Sequence, residues 1–154
     1  MKKENILKYG NAILLVIIVA LLGSIFTSKG LNWLDTLNKP TQWLKAYIIP
    51  IVWSIIYTLT SILLIYLINK NKLSNKISIL FILNGILNIL WCLIYFTFKN
   101  ILLGQITIII NLALSILLLI EIFKIKNIWG YIMTIYPTWL GIATCLNLAI
   151  WILN

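Results

Sequence analysis

The sequence contains no histidine and no arginine, and three acidic residues, Glu4, Asp35 and Glu121, stand against twelve lysines. Without histidine the chain lacks the commonest metal ligand and the commonest general base near neutral pH. It also lacks the usual proximal ligand of haem iron. No metal site and no resident cofactor are therefore expected. No nucleophile–base arrangement is present either, so hydrolytic or group-transfer chemistry has no candidate residues. The two cysteines, Cys92 and Cys145, fall inside apolar stretches with no disulfide-like or metal-like spacing, and they read as small buried hydrophobes. Charged residues make up only 10% of the chain, while 62% is hydrophobic; soluble domains carry about 25% and about 45–50%. A chain of 154 residues has no core large enough for that excess, so lipid must cover it.

What is present is a set of long apolar runs. Five segments, Tyr9–Ser28, Tyr47–Ile68, Ile77–Phe98, Ile101–Phe123 and Ile128–Ile152, each approach the roughly 20 residues needed to cross a hydrocarbon core of about 30 Å. The first has lysines before it but a long apolar core and no A-x-A-like cleavage site after it, which favours an uncleaved helix over a signal peptide. The expected fold is therefore an all-α membrane protein, one transmembrane domain over residues 1–154, with five helices. Links are short except for Lys29–Ala46, so neighbouring helices run antiparallel in a compact bundle. That first loop holds Trp33, Asp35, Lys39, Pro40 and Trp43. It is too apolar for a free linker and too punctuated for a span, and is expected to be structured and to fold back on the mouth of the bundle.

The net charge of +9 does not point to nucleic acid, because the lysines sit in short runs between spans, where orientation signals lie. Eight of them (Lys2, Lys3, Lys8, Lys70, Lys72, Lys76, Lys124, Lys126) fall on the side of the N-terminus, and four (Lys29, Lys39, Lys45, Lys99) on the other. The count places the N-terminus in the cytoplasm. Heavy use of Ile, Asn and Lys without Arg looks like an AT-rich genome, which suggests a bacterial plasma membrane.

Within the spans, polar and aromatic residues fall into helical stripes. Asn84, Asn88, Trp91 and Tyr95 step by 4, 3 and 4 along the third helix, so they share a face. Tyr136, Trp139, Ala143 and Asn147 do so on the fifth, and Trp53 and Tyr57 lie one turn apart on the second, with Thr60 and Ser61 following. Trp53 and Trp91 sit roughly 10 Å below the surface at 1.5 Å per residue, and Trp139 lies deeper; Trp129 and Trp151 lie at helix ends and read as interfacial anchors. Such polar groups can be interhelical glue, about 0.6 kcal/mol per bond, which is the better reading for Asn111 and Ser115 on the fourth helix. Broad π faces with a few orienting amides also make a pocket for a flat apolar molecule. Proton-coupled transport is not expected, because Glu4 and Asp35 lie outside the spans and Glu121 is beside Lys124 at a helix end.

Three blocks carry a resemblance. The first is Trp33-x-x-x-Leu37-x-Lys39-Pro40 with Val52-Trp53-x-x-x-Tyr57; the second is Leu87-Asn88-x-x-Trp91 with Tyr95-Phe96. The third is Tyr136-x-x-Trp139, Ala143-Thr144-x-Leu146-Asn147 and Ile150-Trp151-x-x-Asn154. Together, over roughly residues 33–154, they resemble the TspO/MBR family, also called translocator proteins, tryptophan-rich sensory proteins or peripheral-type benzodiazepine receptors. The resemblance implies a five-helix bundle, often a homodimer, with an intramembrane pocket closed by the first loop. It implies that porphyrins such as protoporphyrin IX, and benzodiazepine-site ligands, bind there. On this reading Trp53, Tyr57, Asn84, Asn88, Trp91, Trp139, Ala143 and Asn147 bind ligand, and Trp33, Pro40 and Trp43 form the lid. Trp53 and Trp139 match tryptophans tied to light-dependent porphyrin breakdown. The chain departs from the family at Thr41-Gln42-Trp43-Leu44-Lys45, where two prolines are missing, and at Thr107, where an acid is common. Leu148 and Ile152 replace the cholesterol motif, which speaks against steroid binding.

The expected function is thus a receptor or translocator for porphyrins and similar flat apolar ligands, in sensing or transport. The alternatives are photochemical porphyrin degradation in the same pocket, and a small transporter or assembly factor whose stripes serve packing alone.

Overall fold

The computed structural model describes residues 3–40 and 47–154, the side chains of 3–6 apart. Trp43, expected in the lid, lies outside the described residues. Among the described residues seven α-helices form in order: α1 (Lys3–Ser28), α2 (Leu31–Thr36), α3 (Ile48–Asn69), α4 (Asn75–Cys92), α5 (Ile101–Phe123), α6 (Trp129–Ile132) and α7 (Ile135–Leu153). α4 continues into a π-helical turn, Leu93–Thr97, and α6 leads into α7. Five helical stretches among the described residues are long and apolar enough to cross a membrane: Leu7–Ser28, Ile48–Asn69, Asn75–Thr97, Ile101–Phe123 and Trp129–Leu153. No strand occurs among the described residues. The protein is an all-α, multi-pass membrane bundle.

Local chemistry sets the helix ends. Ser74 Oγ accepts the Ile77 N–H (3.2 Å) at the start of α4, and Asn100 Oδ1 accepts the Leu103 N–H (2.9 Å) at the start of α5. Each satisfies one of the donors that a helix N-terminus leaves free. Three reversals use one left-handed residue each, Asn71, Lys99 and Lys126 (φ 51°, 55° and 52°). A single such residue turns the chain back within a few positions.

The main core is built from α3, α4, α5 and α7, around Leu63, Leu67, Trp91, Tyr95, Ile108, Leu118 and Leu140. α1 packs against α3 and α4 from outside this core. At its N-terminal half, Ala12 joins Leu64 and Ile68 in a small separate cluster.

The first loop is structured over residues 31–40, as expected. Gly30 lies so close to the π turn that a Cβ there would be 2.4 Å from the Phe96 carbonyl oxygen. Trp33 on α2 meets Tyr95 edge-on at 5.7 Å, and Lys39 pairs with Asp35 at 2.8 Å. Beyond α2, Asn154 Oδ1 accepts the Asn38 N–H (3.0 Å) and Asn154 Nδ2 donates to the Asn38 carbonyl (3.1 Å). The loop is therefore pinned to the end of α4 and to the end of α7.

Three details differ from the sequence reading. The third span is not a regular helix throughout. Its π turn, closed by Phe98 N–H to the Leu93 carbonyl at 2.9 Å, adds a residue to the last turn, and the consecutive rings of Tyr95 and Phe96 are both buried. The last span is broken at Met133–Thr134, with Pro137 in the first turn of α7, where its missing N–H is tolerated. Cys145 is exposed on the outward face of α7, between buried Ala143 and Asn147, and Cys92 is half-buried; the reading of both as buried is corrected.

Candidate ligand cavity

The polar stripes of α4, α5 and α7 meet in the bundle interior. Asn111 Nδ2 donates to Asn88 Oδ1 (2.9 Å), and Asn88 Nδ2 donates to the Tyr136 hydroxyl (2.9 Å). That hydroxyl donates in turn to Asn84 Oδ1 (3.2 Å), and Asn84 Nδ2 donates to the Leu80 carbonyl (2.8 Å). The result is a directed chain from α5 through α4 to α7 and back to the α4 backbone, with all four side chains buried. In a low-dielectric interior each unpaired polar group is costly, so the chain fixes the mutual rotation of three helices. Asn111 acts as the interhelical glue expected of it. Ser115 does not, since it bonds back to Leu112 on its own helix at 2.7 Å.

Beside this chain lies a cavity of about 580 Å³ between α1, α3 and α4. Ligand pockets commonly fall between about 300 and 1,000 Å³. Its walls are Ala12, Leu15, Val16 and Val19 of α1, Ile56 and Leu64 of α3, and Phe81 and Ile89 of α4, among other apolar residues. Tyr57, Thr60, Asn84, Asn88 and Tyr136 supply polar atoms at the deeper end; Lys8, Asn11 and Ser78 supply them at the end nearer the N-terminus. Broad apolar walls with a few polar groups suit an apolar ligand that needs orienting.

The residues singled out in the sequence divide. Tyr57, Asn84 and Asn88 line this cavity. Trp53 is half-buried behind the wall, its ring stacked on Tyr57 at 5.5 Å and 26°. Trp91, Trp139, Ala143 and Asn147 are buried in the core and not among the cavity walls. Trp91 packs on Tyr95 (5.8 Å, stacked) and on Phe96 (5.5 Å, edge-on). Trp33 and Pro40, expected in the lid, are half-buried on the first loop and are not among the cavity walls. Trp129 leans on Tyr66 at 6.0 Å, and Trp151 is exposed at the end of α7. Glu121 pairs with Lys124 and with Lys76 of α4, both at 2.7 Å.

Sequence reasoning missed three features of this interior. Tyr136 belongs to the α7 stripe by spacing, but the stripe does not disclose its role as hub; its spacing from Trp139 is the available signal. Gln105 is buried on α5, and a lone glutamine in an apolar span was itself a signal. The α1 wall gave none, because that helix carries no polar or aromatic stripe. Among the described residues six buried polar atoms have no hydrogen-bond partner in the protein: Trp91 Nε1, Tyr95 OH, Gln105 Oε1, Asn111 Oδ1, Trp139 Nε1 and Asn147 Nδ2. Buried polar groups are normally paired, so each such atom calls for an explanation.

Fold and cavity together define a small helical membrane protein with a cavity between its spans and a first loop packed on one end of its bundle. The comparisons make this more specific: the sequence pattern of the TspO/MBR family matches residues 12–152, and the chain belongs to that family. It is 29% identical to the tryptophan-rich protein TspO of Archaeoglobus fulgidus over 97% of this chain and 99% of that one. It is 25% identical to the protein of the same name from Chlorobaculum tepidum, over 98% of each. Protein CrtK of Rhodobacter capsulatus is similar at 27% identity, over 86% of this chain and 83% of its own length.

Proposed function

We propose that the protein is a receptor or translocator that holds porphyrins, protoporphyrin IX among them, or similar flat apolar molecules in the cavity between α1, α3 and α4. The observation that carries this reading is the cavity itself: about 580 Å³ within the spans, almost wholly apolar, with Tyr57, Asn84, Asn88 and Tyr136 grouped at one end. The Trp53–Tyr57 stack adds aromatic surface behind that end. Membrane placement supports it too, since an apolar ligand partitions into lipid before it meets the protein. Photochemical degradation has weaker support, because only Trp53 of the two implicated tryptophans adjoins the cavity wall, through Tyr57.

The test is a titration of purified protein with protoporphyrin IX in the dark, following tryptophan fluorescence. Saturable quenching is expected in the wild type. Thr60→Phe, which fills the cavity, should weaken binding at least about tenfold while elution and helicity stay unchanged, since a filled pocket loses most of the ligand's buried apolar area. Quenching that never saturates, or saturation untouched by Thr60→Phe, would sink the cavity as the ligand site.

A further inference from the structure

Two chain reversals adjoin one another at the N-terminal end of the bundle, and they concentrate positive charge there. Lys70 and Lys72 lie on the α3–α4 turn, Lys76 in the first turn of α4, and Lys124 and Lys126 between α5 and α6. The reversals are tied together: Asn127 Nδ2 donates to the Tyr66 hydroxyl near the end of α3 (2.7 Å), and Lys76 reaches Glu121 on α5 (2.7 Å). Each turns on one left-handed residue, Asn71 in the first and Lys126 in the second (φ 51° and 52°). Glu121 is the only acid in either segment, and it pairs with both Lys76 and Lys124. Lys70, Lys72 and Lys126 are exposed and pair with no acid among the described residues.

An exposed apolar lip lies beside these lysines. α6 packs so closely on the end of α5 that a Cβ on Gly130 would be 2.5 Å from the Phe123 ring. Phe123 in turn meets Tyr131 edge-on at 5.3 Å. Ile128 and Tyr131 are 62% and 69% exposed, while Trp129 turns inward onto Tyr66. The spans Ile48–Asn69 and Ile101–Phe123 both end here. The lysines therefore stand at the level of the headgroups, and the lip at the edge of the hydrocarbon, where aromatic rings and lysines commonly anchor a span. None of these residues lines the cavity.

We propose that this corner of the bundle holds an anionic phospholipid, with its phosphate on the lysines of the two reversals and its acyl chains against Phe123, Ile128 and Tyr131. Charge complementarity sets the sign of the partner. Five lysines face one carboxylate, and basic groups grouped at the end of a span attract anionic headgroups over a short, salt-screened range. A zwitterionic headgroup brings a cation of its own to a face already in excess of them. The lip sets the kind of partner, because a soluble anion would meet the lysines alone, whereas a phospholipid covers lysines and lip together. The site lies apart from the cavity and does not depend on what the cavity holds.

The probes are phosphatidylglycerol and phosphatidylcholine carrying the same pyrene-labelled acyl chain. Each is titrated against the protein in mixed micelles while energy transfer from tryptophan to pyrene is followed. The wild type is expected to bind phosphatidylglycerol about tenfold more tightly, the scale that a few lysines near a headgroup supply. Lys72→Gln combined with Lys126→Gln should remove most of that preference, and Lys72→Arg with Lys126→Arg should keep it. Lys29→Gln with Lys99→Gln removes the same charge from the opposite end and replaces a left-handed lysine there too; it should leave the preference intact. Ile128→Ser with Tyr131→Ser should weaken both lipids, and inorganic phosphate at constant ionic strength should displace neither. Equal binding of the two lipids by the wild type would overturn the proposal. So would equal losses from the two glutamine pairs, which would make the preference a matter of net charge without a site. Displacement by phosphate, or binding untouched by the two serines, would overturn the lipid as occupant. The substituted lysines are exposed, so these variants keep the fold, as unchanged helicity in circular dichroism would verify.

Discussion

Replacing Tyr136 with phenylalanine removes one oxygen atom from the interior and interrupts the polar chain at its hub. That oxygen accepts from Asn88 at 2.9 Å and donates to Asn84 at 3.2 Å. Both partners are over nine-tenths buried, so neither recovers its bond from bulk water. Interhelical hydrogen bonds in membrane bundles contribute about 0.6 kcal/mol on average and up to about 1.7. Two of them put the loss for Tyr136→Phe at about 1–3 kcal/mol. The ring keeps its place, so little cavity term is added. Unfolding in mixed micelles with increasing denaturing detergent, followed by circular dichroism, measures the change. Asn88→Leu provides the cross-check, because it removes the same bond from the other partner together with the bond from Asn111 (2.9 Å). The double variant should lose less than the two single losses combined, since both single changes delete the Asn88–Tyr136 bond. A Tyr136→Phe protein as stable as the wild type, or strict additivity with Asn88→Leu, would refute the chain as a structural element.

The first loop gives two further predictions. A Cβ on Gly30 would meet the Phe96 carbonyl at 2.4 Å, so Gly30→Ala should push α2 off the bundle, cost about 1–3 kcal/mol by overpacking and expose residues 31–40 to limited proteolysis; an uncut variant with wild-type stability would contradict the contact. Asn154→Ala deletes the reciprocal amide pair with Asn38 and should raise amide exchange around residue 38, with the melting of the spans unchanged; unchanged exchange would mean that other contacts hold the loop. Orientation is tested in a Cys92→Ala, Cys145→Ala background with a membrane-impermeant thiol reagent on intact cells. Lysine counting predicts labelling of Lys99→Cys and not of Lys72→Cys, and the reverse pattern would overturn the cytoplasmic N-terminus.

The spans were legible because hydrophobicity in lipid is a one-dimensional signal: an apolar run between lysines can go nowhere else. The run Ile101–Phe123 is α5 residue for residue, and Tyr47–Ile68 differs from α3 by a single position at each end. The stripes were legible as well, since a 3.6-residue period alone puts Asn84, Asn88, Trp91 and Tyr95 on one face, and all four are buried. The π turn was not: there Tyr95 packs against Gly104 and Trp33, and Phe96 against Gly30, contacts with no local signature.

The sequence by itself determined that this chain lives in a membrane as five helices, and which residues within them are unusual enough to face inward. Only the tertiary structure decided how those residues are grouped. Trp53, Trp91 and Trp139 looked like three walls of one pocket; in the fold Trp53 adjoins the cavity through Tyr57, while Trp91 and Trp139 are packed in the core. The third wall comes instead from α1, a helix with no stripe to announce it. The physical reason is that lipid is as apolar as leucine, so hydrophobicity drives every span into the bilayer and says nothing about which helix neighbours which. Lateral order is left to close packing, as at Gly85 and Val19, and to hydrogen bonds between helices, as at Tyr136, and both depend on pairs of residues far apart in the chain.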